Sequence, residues 1–302
     1  MKYHTLLLYS LCLMGLTACG SEDELTAIPD TMTDCFAPDP NATDAESVLR
    51  REFYQTEKCY LLFNDTLRHE KHGTDFNGDD YYFTETLDMG YILGSSTTVT
   101  NTYTYEYLQT LEEKKAVAAF LKEYVLPHLP NFLRPFSWFA VYSIMNNTEY
   151  TYPETLYGQR SVAIAVGYSF EYLTTEEKQA LATSILTTTL GGSLQAQETT
   201  LTPFYNICNG LYDGYFMIDD PEDHELNMKA LNEAGFLVEG LFWGVIPTTQ
   251  LYPSKAQDLV SFTELVMNHP RQEVEELYAE YPIVIEKAEL LRTLIEELGY
   301  IY

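Results

Sequence analysis

The feature that most constrains the fold is an apolar segment at the amino end that leads into a cysteine. Residues 6–16 (LLLYSLCLMGL) follow Lys2 and have the length of a secretory-signal core, too short to span a bilayer as a stable helix. The small residues directly before Cys19 suit lipoprotein signal peptidase and transfer of diacylglycerol to the thiol. We therefore predict removal of residues 1–18 as a signal peptide and lipidation of Cys19. An ordinary signal peptide with a chance cysteine is the alternative.

The predicted mature chain begins with an acidic, weakly apolar stretch. Residues 21–24 (Ser-Glu-Asp-Glu) resemble the surface-export signal of some Gram-negative lipoproteins, which predicts a lipid-anchored protein on the outer face of the outer membrane. Residues 19–44 are rich in Thr, Asp and Pro and are predicted to form a flexible acidic tether. An acylated cysteine anchors a protein without a transmembrane helix. Residues 45–302 are then expected to fold as a single domain.

The charge balance narrows the classes of partner. The chain has 17 basic and 45 acidic residues, a formal net charge of −28. Such a chain repels nucleic acid and anionic lipid, so neither is an expected ligand. A hydrophobic content of 46% is that of a globular core. The 25 tyrosines either pack half-buried or form platforms for sugars, and composition leaves both readings open.

Cysteine usage permits little cross-linking. Cys12 leaves with the signal peptide and Cys19 is lipidated, so Cys35, Cys59 and Cys208 remain. An odd number in an oxidising compartment allows at most one intramolecular disulfide, for which Cys35–Cys59 is the favoured pairing. Since no Cys-x-x-Cys spacing occurs, a cysteine zinc site is not predicted.

Hydrophobic periodicity predicts an α+β fold, a small mixed sheet followed by a mainly helical carboxyl-terminal part. Strands are predicted at 59–63, 81–87, 137–143 and 161–168, and helices from about 45 and at 111–126, 174–190, 227–234, 254–269, 272–281 and 282–298. Thr174 and Glu177 have the spacing of a capping box. Gly191 and Gly192 are expected to end the helix that this box opens.

The order of these parts resembles a family of zinc-binding metallopeptidases among bacterial surface lipoproteins, which have a zincin-like fold. The resemblance covers most of residues 45–302. It rests on the strand at 161–168 and on four further segments: LTTEEKQALATSIL (173–186), KALNEAGFL (229–237), YPSKAQDLVSFTELV (252–266) and LLRTLIEELGY (290–300).

The resemblance implies where the catalytic centre of such a peptidase would lie. A His-Glu-x-x-His motif presents two imidazoles to one zinc from one helix face, and its glutamate deprotonates the metal-bound water. Alignment on the helix start and on Gln195 places Thr187 and Thr188 at the His-Glu positions and Gly191 at the second histidine. A later Glu-Asp-aromatic segment begins here with Gln257. Hydroxyls and glycine do not replace imidazole, so no catalytic residue, metal or cofactor is predicted.

Two other segments have residue patterns similar to those of metal sites. His69 and His72 flank Glu-Lys, three residues apart rather than four, in what is expected to be a solvated loop. Residues 75–80 (Asp-Phe-Asn-Gly-Asp-Asp) alternate oxygen donors like a calcium loop but lack the glutamate at its twelfth position, and Asn-Gly equally fits a hairpin turn. The other histidines of the mature chain stand apart from one another: His128, His224 and His269.

These features together predict a non-catalytic, membrane-anchored lipoprotein, a pseudo-metallopeptidase that acts as a binding or accessory subunit at the cell surface. Its partner would be a peptide, a glycan or another lipoprotein. One alternative is an active hydrolase, either a metallopeptidase whose ligands lie elsewhere or a carboxylate enzyme. Another is a structural subunit of an outer-membrane uptake complex.

Overall fold

A five-stranded sheet lies at the centre of the part of the chain that the structure describes. This computed structural model describes residues 35–90, 101–217, 224–240 and 249–302. The predicted signal peptide, the predicted lipidation site Cys19 and most of the predicted tether lie outside these residues, as does the acidic segment 219–223, for which the sequence predicts a loop. Within the described ranges, no helix is both long and apolar enough to cross a lipid bilayer.

Strands predominate up to residue 170, and the described part of the chain is mainly helical after it. The helices are α1 (Ala45–Glu57), α2 (Leu111–Phe120), α3 (Thr175–Gln195), α4 (Glu198–Asn206), α5 (His224–Glu233), α6 (Lys255–Asn268), α7 (Arg271–Leu277) and α8 (Pro282–Glu297). The strands are β1 (Tyr60–Leu62), β2 (Thr66–Thr74), β3 (Asp80–Thr86), β4 (Tyr103–Tyr107), β5 (Ser137–Asn146), β6 (Thr155–Tyr157), β7 (Ser161–Ala165), β8 (Tyr215–Met217) and β9 (Thr249–Leu251). The α+β prediction, a small mixed sheet with helices after it, is thereby confirmed.

The sheet is mixed. Its strand order is β1-β5-β7-β6, and β4 pairs with the second half of β5. β1, β5 and β7 are parallel, with Ser137 opposite Ser161, whereas β6 is antiparallel to β7, with Thr155 opposite Ile164. β5 and β7 are nearly continuous apolar runs because both of their faces are covered. Among the described strands, β6 forms an edge of this sheet and lies against α3.

The two faces of the sheet bury different sets of side chains, because successive residues of a strand point to opposite sides. On one face Trp138 and Val162 belong to the main core, which includes residues of α2, α3, α6 and α8. On the other face Phe139 and Ala163 pack in a smaller cluster with Phe36. Phe36 precedes α1, so packed structure extends into the segment predicted as tether.

The prediction that Gly191 and Gly192 end the long helix is wrong. Helix α3 opens with the expected capping box at Thr174 but continues through both glycines to Gln195. Glycine ends a helix when it adopts a left-handed conformation, and neither residue has a positive φ. Gly192 lies directly beneath the ring of Tyr157, so packing rather than chain reversal explains this glycine, whereas a Cβ at Gly191 would meet no atom within 4 Å.

Two other helix predictions differ from the structure, the first in the type of helical turn and the second in length. The helix predicted at 111–126 is α-helical only to Phe120 and continues as a π-helical turn and a 3-10 turn. Pro127 lies in the 3-10 turn, where its missing N–H costs no helical hydrogen bond. The helix predicted at 272–281 is only seven residues long, Arg271–Leu277. Several short elements were not predicted from the sequence: β4, β6, β8, β9 and α4, the last of which contains Pro203.

A buried ion pair joins α6 to α8. Lys287 Nζ lies 2.8 Å from Asp258 Oδ1 and 2.7 Å from Oδ2, and both side chains are fully buried. The same ammonium donates to the Gly235 carbonyl oxygen at 2.9 Å, and the Tyr212 hydroxyl donates to Asp258 at 2.8 Å. The Phe262 ring lies 4.5 Å from the ammonium. Burial raises the pKa of Asp258, and the Lys287 ammonium and the Tyr212 hydroxyl oppose that effect.

The predicted Cys35–Cys59 disulfide is wrong, because Cys59 carries a free thiol. Cys59 immediately precedes β1 and is buried in the main core. Burial raises the pKa of this thiol to about 11, so it resists ionisation and hence oxidation. Cys208 is also a buried thiol, and its Sγ lies 3.3 Å from Lys287 Nζ.

Candidate functional site

The three positions that the resemblance assigns to a catalytic motif lie in the second half of α3. Thr187 and Thr188 are half-buried and Gly191 is buried. The Thr187 hydroxyl donates to the Thr183 carbonyl oxygen at 2.8 Å, so it bonds to the backbone of its own helix. A Cβ added at Gly191 would meet no atom within 4 Å. The position assigned to the second imidazole is therefore occupied by a glycine with open space beside it.

One face of α3 lies against the edge strand β6. Ser184 donates to the Glu154 carboxylate at 3.0 Å, just before β6 begins. A Cβ added at Gly192 would overlap the Tyr157 ring at the end of that strand. Residues four apart share a helix face, so Thr188 lies between these two contacts. The edge strand thus runs along the surface where the resemblance places the metal, and Tyr157 covers one end of it.

The segment that the resemblance aligns with a later carboxylate pair is used for structure. The Gln257 side chain accepts from the backbone N–H of Ser254 at 3.0 Å and caps α6. Asp258 is held in the buried pair with Lys287. No group of three or more His, Cys, Asp or Glu side chains within the described ranges is placed to hold a metal ion.

The pair His69 and His72 lies in strand β2, so the prediction of a solvated loop is wrong. The charged residues form a strand because β2 and β3 make a separate two-stranded sheet held by cross-strand pairs, such as Arg68 with Glu85 at 2.8 Å. His69 Nδ1 lies 2.8 Å from Thr84 Oγ1. His69 stacks on Tyr82, whereas His72 contacts Tyr81 and Phe83 on the other face of β3, so the two imidazoles do not converge on one ion.

The oxygen-rich segment at 75–80 forms the hairpin turn that joins β2 to β3. Asp75 Oδ1 accepts from the backbone N–H of Asn77 at 2.8 Å and of Asp79 at 3.0 Å. Gly78 has a φ of 90°, the left-handed conformation that such turns require. The hairpin reading is confirmed, and the Asp75 carboxylate serves the turn itself.

Two of the isolated histidines also have structural partners. His128 is the last residue of the 3-10 turn, and its Nδ1 lies 2.6 Å from the Ile301 carbonyl oxygen. His269 caps the end of α6, and its Nδ1 lies 3.0 Å from Glu273. His224 begins α5.

One candidate site is a cleft of about 490 Å³ between the sheet and the first half of α3. We call it the tyrosine cleft and define it by its lining residues: Tyr142, Ser143, Ile144, Tyr152, Pro153, Glu154, Ala165, Val166, Gly167, Leu173, Glu177, Ala180 and Leu181. Its floor is apolar and its polar groups are few, the usual composition of a ligand pocket. The Ser184–Glu154 contact connects it to the α3 face described above.

Three exposed tyrosines line this cleft or adjoin its lining residues in the chain. Tyr152 lines it and is 69% exposed. Tyr168 directly follows the lining residue Gly167 and is 65% exposed, and Tyr172 directly precedes Leu173 and is 84% exposed. These tyrosines do not pack half-buried, one of the two roles that composition had left open. Their faces are available to a ligand.

Hydrogen bonds to carboxylates fix two of the rings. Tyr142 and Tyr168 stack with centroids 4.8 Å apart and planes at 27°. The Tyr168 hydroxyl donates to the Glu106 carboxylate, which also accepts from Ser143 at 2.6 Å. A hydrogen bond to Glu113 raises the pKa of Tyr142 to about 12. The stacked pair is therefore held in place before any ligand arrives.

The electrostatics of the tyrosine cleft are negative. Glu154 and Glu177 line it, and Glu106 lies at its rim through Ser143 and Tyr168. Hydrogen bonds from Ser143 and Tyr168 lower the pKa of Glu106, so this carboxylate is ionised at neutral pH. None of its described lining residues is lysine or arginine.

A second cleft of about 550 Å³ lies beside other residues of α3, including Gln179 and Thr183. Tyr300 contributes to its wall but is buried, and His128 is engaged with Ile301. Its exposed aromatic lining residue is Tyr302, which is 46% exposed. The tyrosine cleft is the stronger candidate because Tyr152 lines it and the exposed Tyr168 stacks on its lining residue Tyr142.

Sequence reasoning did not single out the residues of the tyrosine cleft. Tyr142, Tyr152 and Tyr168 carry no motif, and the signal that could have found them is local tyrosine density between residues 142 and 172. No protein-family model, curated protein or solved structure matched the chain when it was compared with them. The assignment of the candidate site therefore depends only on the geometry of the tyrosine cleft.

Proposed function

We propose that this protein is a non-catalytic lipoprotein, anchored through a lipid on Cys19 and displayed at the cell surface, that binds a partner in its tyrosine cleft. We further propose that its scaffold is zincin-like and that it is a pseudo-metallopeptidase. The succession of strand β7, helix α3 and the later helices α6 and α8 supports the scaffold proposal. The short apolar segment before Cys19 supports the anchor.

The tyrosine cleft is the observation that carries the binding proposal. Exposed aromatic rings at one concave surface mark an interaction site, because leaving them in water forgoes the free energy of burial. The adjoining face of α3 carries hydroxyls and a glycine at the positions where a peptidase would hold imidazoles. The Thr187 hydroxyl donates a hydrogen bond to the backbone of its own helix. A scaffold with this surface is suited to hold a partner rather than to activate water on a zinc ion.

The direct test of non-catalysis is a cleavage assay. The mature chain, purified without chelator, is incubated with casein and with gelatin, with and without added zinc, beside a known zinc peptidase as positive control. We expect no cleavage above buffer in any condition. Cleavage that requires zinc and stops on chelation would overturn the proposal.

The anchor is tested separately with Cys19→Ala. In cells fed an alkyne analogue of palmitate, the wild-type chain should take up the label and sediment with the outer membrane, and the variant should do neither. Cys12→Ala is the matched control and should behave as the wild type, because Cys12 lies in the segment that is removed. Label on the Cys19→Ala variant, or membrane attachment without label, would contradict a lipid on this residue.

A further inference from the structure

We infer that the ligand of the tyrosine cleft is an uncharged oligosaccharide, an inference that rests on the proposed binding function and names its ligand class. A sugar ring presents C–H groups on a flat face and hydroxyl donors at its edge. A complementary protein site therefore needs exposed aromatic planes next to hydrogen-bond acceptors. The tyrosine cleft combines both.

The aromatic planes are exposed and oriented. Tyr152 and Tyr168 are 69% and 65% exposed, and Tyr168 is stacked on Tyr142. Carboxylate hydrogen bonds hold both rings of the stacked pair, through Glu106 and Glu113. A ligand that stacks on such rings loses little free energy to ordering them, since they are pre-organised.

The polar groups of the cleft are mainly acceptors. Glu154 and Glu177 are lining carboxylates that accept through several lone pairs and donate nothing when ionised. The complementary ligand must supply donors, which the hydroxyls of a sugar do. An anionic sugar is disfavoured, because these carboxylates and the overall charge of −28 repel it.

A cationic peptide is the main competitor, since ammonium and guanidinium groups also favour carboxylates and aromatic faces. The carboxylates here already accept from protein donors. Ser184 donates to Glu154, and the backbone N–H of Thr174 donates to Glu177. Each of these donors uses one of the roughly four lone-pair sites of its carboxylate, so both carboxylates can still accept from ligand hydroxyls. Exposed flat rings next to such acceptors match the C–H face and the edge hydroxyls of a sugar, which is why we infer the uncharged ligand.

The experiment is affinity electrophoresis of the full mature protein in native gels. Separate gels contain laminarin, yeast mannan, starch or xylan as neutral probes, or alginate as an anionic probe. We expect at least one neutral polysaccharide to slow migration and alginate not to do so. In that gel Tyr152→Ala and Tyr168→Ala should weaken binding about tenfold or more, as removal of a central aromatic contact does.

Two variants control for indirect effects. Tyr81→Ala removes a tyrosine that is 55% exposed on β3 and does not line the cleft, so it should bind like the wild type. Tyr152→Phe retains the ring and should keep most of the affinity. Unchanged migration with every neutral probe would overturn the inference, as would retention of binding by both alanine variants.

The outcome also separates this inference from the proposed function. A lysine-rich peptide that binds the cleft, measured by fluorescence anisotropy, while no neutral probe does, would overturn the sugar ligand and leave a non-catalytic binding protein. Zinc-dependent cleavage of casein would overturn the proposed function itself.

Discussion

Two adjacent glycines in α3 allow a matched test of how the edge strand packs on this helix. Gly191→Ala and Gly192→Ala make the same chemical change one residue apart in one helix interior. Each replacement should gain about 1 kcal/mol from the higher helix propensity of alanine. At Gly191 the new Cβ meets nothing within 4 Å, so this gain should remain and the variant should be more stable than the wild type.

At Gly192 the new Cβ would overlap the Tyr157 ring. The ring must move away or the helix must shift, and such overpacking costs about 1–3 kcal/mol. Because the propensity term is common to both variants, Gly192→Ala should be about 1–3 kcal/mol less stable than Gly191→Ala. The assay is urea-induced unfolding followed by circular dichroism. In a Tyr157→Ala background the difference should fall below about 0.5 kcal/mol.

Equal stability of Gly191→Ala and Gly192→Ala in the wild-type background would refute the packing of Tyr157 on α3. A difference that persisted in the Tyr157→Ala background would show that another neighbour causes the clash. Either result would contradict the contact between Tyr157 and Gly192 on which this prediction rests.

Other predictions concern the supports of the fold. Lys287→Met should lower the free energy of unfolding, measured in urea, by about 3–5 kcal/mol because it leaves the Asp258 carboxylate buried and unpaired. Adding Asp258→Leu should restore much of the lost stability. If Lys287→Met alone were as stable as the wild type, that result would contradict the buried pair. The backbone N–H of Thr110, together with Tyr142, lowers the pKa of Glu113 from 4.5 to about 2, so its stabilising effect is present above pH 4.5 and is lost as the pH falls towards 2. The melting temperature of Glu113→Gln should therefore lie below that of the wild type at neutral pH and converge with it near pH 2, whereas a constant gap would argue against this capping carboxylate. Cys59 should resist iodoacetamide in the native protein and react in urea, because burial raises the pKa of its thiol to about 11; a mass increase at Cys59 before unfolding would contradict its burial.

Local signals in the sequence predicted the structure correctly where that structure depends on interactions between residues close in the chain. The capping box at Thr174 and Glu177 satisfies early backbone N–H groups, and α3 begins there. The apolar run at 161–165 forms the buried strand β7. The overall succession of a small sheet and later helices followed from such elements.

The predictions that were wrong concern segments whose structure is decided by contacts with distant parts of the chain. Nothing local distinguishes a glycine pair that ends a helix from one that admits a neighbouring ring, and Tyr157 decides between them at Gly192. The three-residue strand β6 is too short to show a periodicity and exists because β7 lies beside it. The charges of His69 and Lys71 suggested a loop, but pairing with β3 makes that segment a strand.

The candidate site was only partly accessible from the sequence. The absence of imidazole at Thr187 and Gly191 is a sequence fact, and it led to the prediction of a non-catalytic protein. The tyrosine cleft is assembled from β5, the segment before β6 and the start of α3, and residues as far apart as Glu106 and Tyr168 meet at its rim. Such convergence depends on the fold and leaves no motif.

The most direct test of the central claim is the zinc affinity of the α3 face, measured by competition with a chromogenic chelator. The wild-type protein is compared with a variant that carries Thr187→His, Thr188→Glu and Gly191→His, which introduces two imidazoles four residues apart. A Cβ added at Gly191 meets no atom within 4 Å. We predict that the variant takes up one zinc ion per chain and that the wild-type protein competes no better than buffer. A wild-type protein that itself retains one zinc per chain against the chelator would contradict the account.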